Sequence, residues 1–201
     1  MCTAVVTYEN RTLPFKSEFR TNHANYCAFH QYTYISYDTH PLESTIPPYW
    51  LKIFIVRELL DAYDTVMWVD SDTRFESQYT SIDSMYPKGA MMSISADKPQ
   101  HRIPSKINTG VFIVKKQSIP LMDTWLHTYR PSSWYRNDDG TWKCSGIWAG
   151  KEYEQGALLE IINETVHIQP WYILNNHPLS GHMGYVQHFC GAIGKRMLKH
   201  R

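Results

Sequence analysis

The chain has 201 residues, 20 Lys+Arg against 19 Asp+Glu for a formal net charge of +1, and 43% hydrophobic residues. That length suits one domain with a sizeable core, and the composition excludes a disordered chain. The charge balance excludes a dedicated nucleic-acid or acidic-membrane binder, whose affinity rests on neutralising phosphates.

The elements follow from hydrophobic period. Thr3–Tyr8 (TAVVTY) is a β-branched and aromatic run bounded by Glu9-Asn10-Arg11, and it predicts a first strand inside the sheet. Apolar positions at helical spacing predict a helix over 17–30, and YTYISY over 32–37 predicts a second strand, giving one β-α-β unit. Pro47-Pro48 then opens an amphipathic helix through Trp50, Ile53, Phe54, Val56, Leu59 and Leu60. Thr65–Val69 (TVMWV) is short and wholly apolar, like strands buried on both faces of a parallel sheet, and it delivers Asp70-Ser71-Asp72 at its carboxyl end.

Strands are expected over 90–96 and 111–114, joined by a polar segment around 101–106. A helix is expected over 118–129, then a long loop over 131–150 carrying Trp134, Trp142 and Trp148. A helix over 152–163, the strand Val166–Gln169 and a tail rich in His, Gly and Asn complete the chain. Alternating strands and helices imply a single α/β domain over residues 1–201, with a mostly parallel central sheet flanked by helices. No apolar stretch approaches the roughly 18 residues of a membrane span, and the first eleven residues do not read as a signal peptide. A cytoplasmic protein with a natural start is expected, with a trimmed luminal domain as the alternative. Cys2, Cys27, Cys144 and Cys190 are scattered without zinc-ligand spacing, so reduced, buried thiols are expected.

Two aspartates one residue apart after a buried strand can converge on one cation, because side-chain alternation relaxes where the chain leaves the sheet. Oxygen ligands of this kind suit Mn²⁺ or Mg²⁺, which bind through one or two carboxylates plus substrate phosphates. The implied partner is a diphosphate.

The stretch WLKIFIVRELLDAYDTVMWVDSDTRF, residues 50–75, resembles the segment of glycosyltransferase family 34 that runs from a Trp/Lys/Arg helix into a DSD motif. NHANYCAFHQY at 22–32, NTGVF at 108–112, EQGAL at 154–158 and GYVQHF at 184–189 follow in that family's order, so the likeness spans nearly the whole chain. Small glycosyltransferases of large algal viruses are similar too. The resemblance implies a GT-A fold, the Rossmann-like fold of nucleotide-diphospho-sugar transferases. It also implies a retaining, metal-dependent transfer of a sugar from a UDP-sugar to a glycan acceptor.

Carried over, it makes Asp70, Asp72 and His188 the metal ligands, with Asp70, Ser71, Lys52, Asn108, Gly191 and Lys195 on the donor. Glu154 and Gln155 would line the sugar pocket at the reacting centre, Gln155 beside the reacting carbon. Placement at the end of the first strand adds Thr7 and Tyr8 for base and ribose. The chain departs from the family in having Glu154 before the Gln and a lysine only at Lys195 after His188, which points to a donor other than galactose or xylose, such as a deoxy sugar. Two alternatives stay open: a haloacid-dehalogenase-type phosphatase with Asp70 as nucleophile, because VDSDT fits hhDxDxT, and a non-catalytic nucleotide-sugar-binding module.

Overall fold

The computed structural model describes residues 2–98, 106–191 and 198. The central sheet has six strands: β1 (Thr3–Tyr8), β2 (Thr33–Tyr37), β3 (Thr65–Val69), β5 (Met92–Ala96), β6 (Ile107–Lys115) and β9 (Val166–Gln169). Their order is β2-β1-β3-β6-β5-β9. The pairs β1·β2, β1·β3 and β5·β9 are parallel, while β6 runs antiparallel to both its neighbours. One reversed strand in six keeps the sheet mostly parallel, and that reversal has a use. It carries the amino-terminal end of β6, with Asn108, to the edge where β3 delivers Asp70.

Side-chain alternation divides the sheet's two faces between two cores. Val6, Trp68, Ile94 and Phe112 face the cluster built with α2 (Pro48–Leu59), α3 (Ile119–His127) and α4 (Glu154–Ile161). Val5, Met67, Val69, Val111 and Ile113 face the other, with Tyr26 and Cys27 of α1 (Lys16–His30). β1 and β3 are buried at every position, as their apolar composition requires of strands covered on both sides.

Three expectations need correction. The segment 131–150 is not a plain loop: β7 (Trp134–Arg136) pairs antiparallel with β8 (Trp142–Cys144), closing a hairpin whose tip contains Asp139-Gly140, with Gly140 at φ +80°. Two short strands were not foreseen, β4 (Thr73–Phe75) and β10 (Val186–His188), which pair antiparallel with His188 opposite Thr73. The cysteines are all free, but only Cys27 is buried. The four-residue α5 (Trp171–Leu174) precedes Asn175. Lys195 and most of the polar segment 101–106 lie outside the described residues.

The NHANY segment of α1 braces β4. Asn22 accepts from the Phe75 N–H at 2.8 Å and donates to the Phe75 carbonyl at 3.2 Å, and His23 Nε2 donates to the Thr73 carbonyl at 2.8 Å. Tyr26 stacks on Phe75 with ring centroids 3.6 Å apart. These contacts fix the strand that leaves the Asp70-Ser71-Asp72 turn.

Candidate metal and donor site

The turn at the end of β3 is held on every side. The Asp70 N–H donates to the Gly110 carbonyl at 2.8 Å, and the Thr73 hydroxyl donates to the Asp70 carbonyl at 2.7 Å. The Phe189 N–H donates to the Asp72 carbonyl at 2.8 Å, which ties the turn to the end of β10. A bulge in β6 makes this possible. Ile94 pairs with Phe112 and Ser95 with Asn108, so residues 109–111 leave β5, and the carbonyls of Thr109 and Gly110 reach Lys52 and the Asp70 N–H.

Asp70, Asp72 and His188 each bring a ligand atom within 4.8 Å of the others. His188 Nε2 lies 3.1 Å from Asp72 Oδ1 and 3.9 Å from Asp70 Oδ2. Asn175 Oδ1 accepts from His188 Nδ1 at 2.7 Å, which orients the ring and aims Nε2 at the carboxylates. Burial pushes the His188 pKa down, but Cys190 and Asp72 beside it outweigh that and lift the pKa well above the ordinary histidine value. Burial likewise would raise Asp72, yet His188 holds its carboxyl low. Two carboxylates and one oriented imidazole are a donor set that fits Mn²⁺ or Mg²⁺, and His188 must lose its Nε2 proton to join it.

Behind the triad stands a buried ion network. Lys52 Nζ donates to Asp70 Oδ1 at 3.0 Å and to the Thr109 carbonyl at 3.2 Å, and lies 3.7 Å from Glu154 Oε1. Asp70 Oδ1 also accepts from Trp68 Nε1 at 2.7 Å. Burial lifts the Glu154 carboxyl above its usual range against the pull of Lys52, and the Thr109 hydroxyl donates to Glu154 Oε1 at 2.6 Å. The resemblance implied that Lys52 meets the donor phosphates; the structure commits it instead to Asp70 and Glu154. Gln155, the next residue, lies 3.4 Å from the Thr109 hydroxyl through Oε1. Gly156 lets α4 start this close in, since a Cβ there would strike the backbone of Ala149 and Gly150.

Beside the network opens a cavity of about 630 Å³, lined by Tyr8, Ser71, Asp70, Asp72 and the tip of the β7–β8 hairpin. Thr7 is buried within β1 and does not reach it. Asn108 accepts from the Gly110 N–H at 2.8 Å and donates to Asp97. Gly191, at φ +72°, is exposed just past His188.

The sequence missed several members: Glu9, Arg11, Asp97, Asn175 and Arg136. Asp97 ends β5 as Asp70 ends β3, a signal that was there to see. Glu9 is buried, and accepts from Ser71 Oγ at 2.6 Å and from Arg11 through both oxygens at 2.8 and 2.7 Å.

Gly110 packs directly against the His188 ring. A Cβ there would overlap Cε1 of the His188 ring. Gly110→Ala is expected to destabilise the protein by about 1–3 kcal/mol, the usual range for overpacking, and to weaken Mn²⁺ binding by displacing the imidazole. Urea denaturation and a Mn²⁺ titration check this. Wild-type affinity in the variant would show that His188 is not held where Mn²⁺ binds.

The sequence profile of the galactosyl transferase GMA12/MNN10 family matches residues 2–104. Among solved structures, a glycosyltransferase involved in the glycosylation of the major capsid of PBCV-1 superposes with a TM-score of 0.72 at 18% identity, covering 100% of both chains. Mouse xyloside xylosyltransferase 1 gives 0.48 at 10% identity, over 93% of this chain and 96% of that one. The glycosyltransferase GlyE of Streptococcus pneumoniae TIGR4 gives 0.49 at 12%, over 84% of this chain and 45% of that one. No curated protein matches in sequence. The first likeness gives the sheet and its helices as a glycosyltransferase fold of the GT-A type. No helix among the described residues is long and apolar enough to cross a membrane.

Proposed function

Since the chain belongs to the galactosyl transferase GMA12/MNN10 family of glycosyltransferases, we propose that it moves a sugar from a UDP-sugar to a glycan acceptor, with a divalent cation and with retention of configuration. The observation that carries this reading is the Asp70-Asp72-His188 cluster, whose two aspartates line the strand-end cavity. A Mn²⁺ or Mg²⁺ ion there would supply charge neutralisation for the departing diphosphate. The protein's own part is to fix the ligands. Asn175 sets the His188 tautomer, and Lys52 with the Trp68 N–H leaves Asp70 Oδ2 turned toward His188.

Retention is supported by the state of the carboxylates. An inverting enzyme needs one free to take the acceptor's proton. Glu154 is buried and committed to Lys52 and Thr109. At the hairpin tip, the Thr141 hydroxyl and N–H hold the Asp139 carboxyl below its usual range, which makes it a poor base. Gln155 then acts as a neutral amide near the anomeric carbon, aimed at charge that develops in the transition state. Gln155→Ala is therefore expected to lower turnover more than donor affinity.

Calorimetry of UDP with Mn²⁺ and in chelator, followed by NMR of the product linkage, tests the whole reading. Binding that requires Mn²⁺ and a product with the donor's anomeric configuration are expected. Equal UDP affinity in chelator would remove the metal from the reading, and an inverted product would remove retention.

A further inference from the structure

Five carboxylates and three cationic side chains line the strand-end cavity: Glu9, Glu43, Asp70, Asp72 and Asp139 against Arg11, Lys52 and Arg136. A nucleoside diphosphate brings further negative charge into that company, and one divalent cation does not compensate for all of it. Lys52 is unavailable, being buried and bound to Asp70, Glu154 and the Thr109 carbonyl. The other two cations are of a different kind. Both are exposed arginines, and they approach from separate elements, Arg11 from the segment after β1 and Arg136 from β7.

Each is oriented while keeping nitrogens free. Glu9, 3% exposed, takes Arg11 Nε and Nη2 in a two-point grip, and its second oxygen also accepts from Ser71 in the turn between the metal-binding aspartates. Arg11 Nη1 has no partner among the described residues. A buried carboxylate is costly, and its use here is to hold an exposed guanidinium at the rim of the site in one rotamer. Arg11 also feels the charge of Asp72. On the other wall, Arg136 Nε donates to the Gly140 carbonyl at 3.1 Å, and its guanidinium carbon lies 5.7 Å from the centroid of the Trp142 ring. No carboxylate pairs with Arg136 among the described residues, and both its terminal nitrogens are uncommitted there. The hairpin that carries it is anchored at its base, where Trp134 packs on Tyr49 and Tyr153 and donates to the Glu152 carbonyl at 3.1 Å.

We propose that Arg11 and Arg136 form a clamp that takes the diphosphate of the donor from two sides, Arg11 preset by Glu9 and Arg136 presented by the hairpin. The inference rests on the glycosyl-transfer reading above and names the groups of that site that meet the phosphates. Planar guanidinium forks match phosphate oxygens in two-point geometry, which a lysine cannot do. The link from Ser71 through Glu9 to Arg11 would keep this arm in register with the metal-binding turn.

The test compares UDP with uridine, in Mn²⁺, on the full chain and its variants Arg11→Gln, Arg136→Gln and Arg136→Lys, with thermal unfolding as a check of the fold. Each Gln variant is expected to lose about ten- to a hundredfold in UDP affinity, the worth of a charge-assisted contact, while uridine binding and Mn²⁺ binding without nucleotide hold. Arg136→Lys is expected to fall between, since it keeps charge and loses the fork. UDP affinity within about twofold of wild type in either Gln variant, or equal losses for UDP and uridine, would overturn the clamp. A wild-type chain that bound no UDP in Mn²⁺ would bring down the glycosyl-transfer reading, and the clamp with it.

Discussion

Asp72→Ala is expected to abolish measurable Mn²⁺-dependent UDP binding while leaving the fold intact. Loss of a group that merely orients a metal ligand costs about 10–100-fold in metal affinity, so loss of a ligand from a site with three protein ligands should exceed the top of that range. The two aspartates are not equivalent in this respect. The Asp72 side chain meets His188, and its removal leaves an imidazole that Asn175 still holds. The Asp70 side chain also accepts from Lys52 and Trp68, so Asp70→Ala should cost stability as well as metal.

The same site predicts a pH dependence. Burial lowers the His188 pKa, but Cys190 and Asp72 raise it well above the ordinary histidine value, so a cation binding at Nε2 competes with the ring's proton. Mn²⁺ affinity should rise with pH and fall on acidification, with up to one proton released per ion from this residue. Titration calorimetry in buffers of different ionisation enthalpy reads that proton. An affinity flat across pH 6 to 8 would mean that the cation displaces no proton from His188.

How much of this was legible in the sequence depended on whether a feature is local. β1, β3 and β9 were bounded to the residue: β1 and β3 are short runs of apolar, β-branched and aromatic residues ended by Glu9 and Asp70, and β9 (VHIQ) alternates apolar with polar residues. β4 and β10 were missed because three-residue strands carry no period, and their pairing joins Thr73 to His188, far apart in the chain. The hairpin carried a signal, Asp139-Gly140 between two Trp-containing runs, but its polar composition reads equally as loop. Asp70 and Asp72 were visible from placement alone, at the end of a buried strand. His188 came only from the resemblance, since one histidine beside Phe189 is usual core packing. Glu9, Arg11 and Asn175 act through contacts with distant or newly turned chain, which no residue pattern near them announces.

The buried network behind the candidate metal site should prove the most sensitive part of the protein. Lys52→Met is expected to destabilise the metal-free fold by about 3–5 kcal/mol at neutral pH, the cost of breaking a buried pair by removing one partner. The lysine is the cation that Glu154 and Asp70 share, and Glu154 is 3% exposed, with no hydrogen-bond partner for Oε2 among the described residues. The sign of the pH dependence follows from Glu154. Its carboxyl pKa is already raised in the folded state by burial, against the attraction of Lys52, and removing Lys52 raises it further. A carboxyl whose folded pKa lies above its unfolded one costs nothing when protonated in both states, and destabilises increasingly as pH rises from the unfolded value of about 4.3 through the folded one. The deficit of Lys52→Met should therefore be largest near neutral pH and shrink as the pH is lowered toward 5. Urea denaturation of wild type and variant at both pH values reads the difference. Adding Glu154→Gln to Lys52→Met should recover part of the loss, because an amide replaces the uncompensated charge and still accepts from the Thr109 hydroxyl. A deficit independent of pH, together with a double variant no more stable than the single one, would mean that Lys52 supports the fold by filling space between α2, β3 and β6 and that the charge of Glu154 is not what it offsets.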